Sequence, residues 1–70
     1  MRGPMQITLN GETREVESGT TVARLLDELG LPPRQVAVEL NRELVARDRR
    51  DATVLATGDR VEVVTLVGGG

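Results

Sequence analysis

Only one stretch of this chain carries a helical period, and it is stopped abruptly at both ends. Val22, Leu25, Leu26 and Leu29 recur at the spacing that lines up one face of an α-helix. Thr20 or Thr21 supplies a side-chain oxygen that can cap the unpaired N–H groups of the first turn. Gly30 suits the left-handed residue that closes such a helix, Leu31 can fold back on its last turn, and Pro32-Pro33 forbids continuation. The result is one helix of about two to three turns. A single short amphipathic helix must bury its stripe against another layer, and the rest of the chain has to supply that layer.

The flanking segments alternate as strands do. Met5, Ile7 and Leu9 interleave with Gln6 and Thr8, the period of a half-buried strand. Asn10-Gly11 then offers the two positive-φ positions of a tight hairpin turn, and residues 12–16 return antiparallel. Thr13, Arg14 and Glu15 make that returning strand polar, as a sheet edge should be, because charge there discourages pairing with another molecule. Beyond the helix, Val36, Val38 and Leu40 alternate with Ala37 and Glu39, and Asn41-Arg42 leads into a short strand over 43–46. The stretch 47–52 is too polar for a core and reads as a solvated, irregular turn anchored by Val54 and Leu55. After the turn signal Thr57-Gly58-Asp59, Val61, Val63, Thr65 and Val67 face one way and Glu62, Val64 and Leu66 the other.

Both faces of this last segment, 60–67, are largely apolar, which predicts a central strand rather than an edge. One helix can cover only one side of a sheet, so Val64 and Leu66 are expected to form an exposed docking patch for a partner. Residues 1–4 read as a loose leader, with Gly3 and Pro4 breaking structure and Met5 as well as Met1 available as a start. The expected organisation is thus a leader over 1–4, one domain over 5–67 and a glycine tail over 68–70.

Composition decides what kind of work such a domain can do. The chain has 70 residues, near the lower limit for a core without staples, and neither cysteine nor histidine is present to add a disulfide or a soft-ligand metal site. With 39% apolar residues and no aromatics, the core needs nearly all of them, and little remains to line an interior pocket. Lysine and tyrosine are also missing, so the usual general bases, thiolates and Schiff-base amines are absent. Ser18 is the single serine, with no imidazole to activate it. The acid pairs Asp27/Glu28 and Asp48/Asp51 are best read as solvated faces, since adjacent helical residues diverge. No enzyme, and no bound cofactor or metal, is expected.

All nine basic residues are arginines, so no side-chain amine is offered for an isopeptide bond. A net charge of −2 and the lack of stacking aromatics argue against nucleic acid, despite the local run Arg47-Asp48-Arg49-Arg50. No apolar stretch approaches membrane length and no signal-peptide core is present, which makes the cytoplasm the expected address. The sequence then ends in Gly68, Gly69 and Gly70. A terminal carboxylate there is ionised at neutral pH and can attack an electrophilic phosphorus. Without Cβ atoms, such a tail can lie in a channel too narrow for side chains.

Two strands, a helix, two strands, a turn and a last strand make an α+β domain, a mixed five-stranded sheet gripping one helix. Met5-Gln6-Ile7 with Leu9-Asn10-Gly11-Glu12, Thr21-Val22 with Leu25-Leu26, Val36-Ala37-Val38-Glu39-Leu40-Asn41, and Gly58-Asp59-Arg60-Val61-Glu62-Val63-Val64 ending in Gly69-Gly70 resemble the ThiS family. These are sulfur carriers of thiamin biosynthesis with the ubiquitin-like β-grasp fold. The resemblance runs through nearly the whole chain from Met5. It implies that an ATP-using adenylyltransferase, similar to the ubiquitin-activating enzymes, adenylates Gly70 while recognising Gly68 and Gly69. The adenylate then becomes a thiocarboxylate that donates sulfur for the thiazole ring on a thiazole synthase. Rival readings are the small subunit of molybdopterin synthase or another sulfur-transfer carrier, a ubiquitin-type modifier, and a β-grasp interaction module whose tail does nothing.

Overall fold

The computed structural model describes residues 3–66. Met1 and Arg2 of the expected leader, Val67 of the expected last strand, and Gly68, Gly69 and Gly70 lie outside the described residues. The elements follow the order β1 (Pro4–Leu9), β2 (Glu12–Glu17), α1 (Val22–Leu29), β3 (Val36–Leu40), β4 (Glu43–Leu44) and β5 (Arg60–Thr65). Single 3-10 turns over Pro33–Gln35 and Arg47–Arg49 precede β3 and follow β4. The five strands make one sheet in the order β2-β1-β5-β3-β4, with β5 antiparallel to β3 and parallel to β1. The expected central strand is therefore central, and the expected polar edge is an edge.

The local signals act as their chemistry requires. Asn10 (φ 49°) and Gly11 (φ 85°) are both left-handed and turn β1 into β2, with Leu9 opposite Glu12. At α1 the cap is Thr21, whose Oγ1 accepts from the N–H of Arg24 at 3.1 Å. Gly30 takes φ 71°; its N–H donates to Asp27 O, and Leu31 N–H reaches Leu26 O at 3.1 Å, which is the Schellman closure. Thr20 is buried one residue earlier, donating its hydroxyl to Glu17 O at 2.6 Å. The helix lays Val22, Leu25 and Leu26 on one face of the sheet against Ile7, Val16, Val36, Val38 and Val61, with Leu55 closing the end.

Four expectations need correction. Pairing begins before Met5: Pro4 lies opposite Glu17, and Ser18 N–H donates to Gly3 O at 3.2 Å, so the last two leader positions already belong to the sheet. Proline is tolerated there because it opens the strand, where a missing N–H costs no rung. The short strand expected over 43–46 is only Glu43–Leu44, since Val45 and Ala46 peel away after Val45 N–H bonds Val38 O. Of the two expected anchors, Leu55 is buried but Val54 is 57% exposed, held only by a backbone bridge to Thr21.

The fourth correction concerns the arginine run. Arg50 is not solvated; it is 5% exposed. A buried guanidinium must find acceptors, and this one donates to Pro33 O at 2.8 Å and Val36 O at 2.9 Å. Arg47 likewise donates to Arg34 O at 3.0 Å. A sequence window of four charged residues cannot show which of them turns inward to satisfy carbonyls 14 or 17 positions away.

Candidate functional site

The end of β5 carries the residues from which the glycine tail follows, so the site is built from what holds that strand. On one flank, β1 pairs with β5 only through Thr8↔Arg60 and Leu9↔Val61, because the hairpin then carries β1's chain away. Asn10 bridges the gap with its side chain: Oδ1 accepts from Val63 N–H at 2.8 Å and Nδ2 donates to Val63 O at 3.3 Å. The carboxamide thus stands where the next peptide unit of a longer β1 would stand. At the base of the strand, Asn41 N–H donates to Arg60 O at 2.7 Å, and Asn41 Oδ1 accepts from Arg60 N–H at 2.9 Å. Asn41 Nδ2 also donates to Asp59 Oδ1 at 3.1 Å, while Asp59 Oδ2 accepts from Ala56 N–H at 2.7 Å.

The other flank is continuous. β3 accompanies β5 from Leu40↔Val61 to Val36↔Thr65, and Leu66 N–H donates to Gln35 O at 2.7 Å as a final rung. The β1 edge of β5 is thus held as far as Val63, and the β3 edge as far as Leu66, the last described residue.

Alternation along β5 puts Val61 and Val63 toward α1 and Glu62, Val64 and Leu66 on the face that no helix covers. Val64 is 56% exposed and Leu66 45% exposed, as the expected patch requires. Register adds members that sequence reasoning did not name. Ala37 lies opposite Val64, Glu39 opposite Glu62, and Leu44, 71% exposed, opposite Glu39. Among the described residues this face therefore combines exposed apolar side chains at the end of β5 with two carboxylates set directly across from each other. Like charges in that arrangement destabilise a sheet, so their pairing is a cost to the fold itself. Pairing partners depend on strand register between β3 and β5, more than twenty positions apart, which no local window reveals.

The remaining expected site residues, Gly68, Gly69 and Gly70, lie outside the described residues. Among the described residues no group of three histidines, cysteines or acids is placed to hold a metal ion, and no helix is long and apolar enough to cross a membrane. A groove of about 600 Å³ lies between α1 and the two 3-10 turns, on the helix side of the sheet; Ala23, Leu26 and Leu31 contribute apolar surface to it and Arg24, Arg34 and Arg47 charge.

Comparison with known proteins gives this geometry a lineage. The sequence matches the ThiS family over residues 7–70. It is 42% identical over 64 residues to the sulfur carrier protein ThiS of Thermus thermophilus, covering 91% of this chain and 98% of that one. It is 48% identical over 66 residues to a thiazole synthase of Magnetococcus marinus, covering 94% of this chain but only 20% of that protein; the chain thus spans about a fifth of that relative's length. The crystal structure of the thiamine biosynthesis protein ThiS from Geobacter metallireducens superposes with a TM-score of 0.83 at 38% identity, covering 94% of this chain and all of that one. The strand order, the helix caps and the residues matched end to end lead to one conclusion: the chain belongs to the ThiS family.

Proposed function

We propose that this chain is a sulfur carrier for thiamin biosynthesis and that its reactive group is the carboxylate of Gly70. An ATP-using adenylyltransferase partner binds the chain and brings Gly70 to the α-phosphorus of ATP. A carboxylate oxygen forms the new P–O bond and pyrophosphate leaves, giving an acyl-adenylate. A donor at the oxidation level of sulfide then attacks the acyl carbon and expels AMP, so that one terminal oxygen has been exchanged for sulfur. The thiocarboxylate is delivered to a thiazole synthase. This chain supplies no catalytic side chain and binds no cofactor of its own; ATP belongs to the partner, and the address is the cytoplasm.

The observation that carries the reading is full-length similarity to a sulfur carrier protein, joined to a tail of three glycines that follows the central strand. A relative in which a segment like this chain is part of a thiazole synthase supports the second partner. The sheet face that no helix covers supplies the recognition surface: Val64 and Leu66, which precede the tail in sequence, lie on it with Glu39 and Glu62. Gly68 and Gly69 present no side chain to a narrow channel. The test is ATP–pyrophosphate exchange by the adenylyltransferase with the chain as adenylyl acceptor. Deleting Gly70 should abolish exchange and sulfur transfer. A chain without Gly70 that still functions would identify an interaction module instead.

A further inference from the structure

The 3-10 turn before β3 has every backbone carbonyl from Pro32 to Val36 engaged, two of them by the same side chain. Pro32 O accepts from Gln35 N–H, within the turn. Pro33 O and Val36 O accept from the two ends of the Arg50 guanidinium, and Arg34 O accepts from Arg47. Gln35 O, in the middle, accepts from Leu66 N–H at 2.7 Å. Among the described residues, that bond is the last rung holding β5.

β4 explains why arginines are needed here. It pairs only with Glu39 and Leu40, so the outer edge of β3 near Val36 has no strand beside it. Arg50 fills that edge: it is 5% exposed and grips the turn on either side of Gln35. A charge-assisted hydrogen bond is about twice as strong as a neutral one, and a planar fork fixes two acceptors at once. The orientation of Gln35 O is thus set by a clamp from the opposite side of the turn.

We propose that Arg50, assisted by Arg47, is a positioning residue for the tail: by fixing the Pro33–Gln35 turn it determines that β5 stays in the sheet through Leu66. The role rests on the carrier reading, in which Gly70 must reach a partner's active site. Four residues follow Leu66 and span at most about 14 Å when extended. Losing the Leu66 rung adds up to about 3.5 Å per released residue and spreads the reactive end over a larger volume, which lowers its effective concentration at the partner's site.

The test compares Arg50→Met, which keeps the apolar stem without donors, with Arg50→Lys, which keeps the charge and one bond's worth of donor. Val16→Ala serves as a control that weakens the core far from the clamp. Amide exchange by NMR reads the rung directly. Arg50→Met should lower protection at Leu66 about tenfold more than at Val61, a loss of the size expected for one to two hydrogen bonds. Arg50→Lys should fall between, and Val16→Ala should shift both amides alike. In loading by the adenylyltransferase, Arg50→Met should lower kcat/KM about three- to tenfold at a temperature where it is fully folded, while Val16→Ala loads as wild type does. Equal loss at Leu66 and Val61 in Arg50→Met would overturn the clamp. Selective loss at Leu66 with unchanged loading would overturn its bearing on the reaction and leave the carrier reading intact. A wild-type chain that itself gains no sulfur would overturn that reading and the positioning role with it.

Discussion

Replacing Asn10 with glycine removes a side chain that stands in for a peptide group while leaving the turn it occupies unstrained. Asn10 sits at φ 49°, a conformation glycine adopts freely, so the hairpin from Leu9 to Glu12 keeps its geometry. What is lost is the pair of bonds to Val63, 2.8 Å and 3.3 Å long, which continue the β1–β5 ladder past its two backbone pairs. Each is worth about 0.5–1.5 kcal/mol net, and both are exposed to water, so Asn10→Gly should cost about 1–2 kcal/mol. Asn10→Ala loses the same bonds and keeps a Cβ in the left-handed region without the short polar side chain that lets asparagine tolerate it, for a total of about 2–3 kcal/mol. In a domain of this size 1 kcal/mol moves Tm by about 4–8 °C, so thermal unfolding followed by circular dichroism resolves the two variants from wild type and from each other. Asn10→Gly within about 0.5 kcal/mol of wild type would refute the idea that the carboxamide acts as a rung, since that is the scatter of an unconnected surface change. Equal loss in the two variants would refute the cost assigned to φ.

Three further outcomes follow from the same geometry. Arg42 is left-handed at φ 73° in the turn joining β3 to β4, so Arg42→Gly should stabilise the fold by about 0.5–1 kcal/mol in urea unfolding, and destabilisation would show the turn is not strained. Glu62→Gln removes the like charge opposite Glu39 and should stabilise by a few tenths of a kcal/mol, most clearly at low salt; no gain at low salt would mean the two carboxylates do not feel each other. Gly69→Val adds a branched side chain to the tail and should block adenylation with the unfolding midpoint unchanged; normal loading would contradict a narrow channel.

The parts of this fold that sequence makes legible are those decided by neighbours. The Val22–Leu29 stripe, the Thr21 cap and the Gly30 closure lie within ten residues, and so does the Asn10-Gly11 turn. The central place of β5 is legible too, because burial on both flanks and alternation leave apolar residues on both faces. Strand register is not, and with it the cross-strand pairing of Glu39 with Glu62 and of Ala37 with Val64 stays hidden. The same limit applies to side chains that substitute for backbone. Asn10 reads as a turn residue and is also a rung to Val63, 53 positions away; Arg50 reads as a surface charge and is the clamp on the Pro33–Gln35 turn. The tail is legible as three glycines with a carboxylate able to attack phosphorus, whereas the thiocarboxylate is what the resemblance implies, because nothing in a glycine specifies sulfur.

The central claim is that sulfur travels on the carboxylate of Gly70, and intact mass spectrometry of the chain after incubation with ATP, a sulfide donor and the adenylyltransferase tests it most directly. The account predicts a mass gain equal to one oxygen exchanged for sulfur, located by fragmentation at Gly70 and absent when ATP is withheld. An unchanged mass where the same adenylyltransferase catalyses ATP–pyrophosphate exchange with the chain, or a sulfur found anywhere but Gly70, would contradict it.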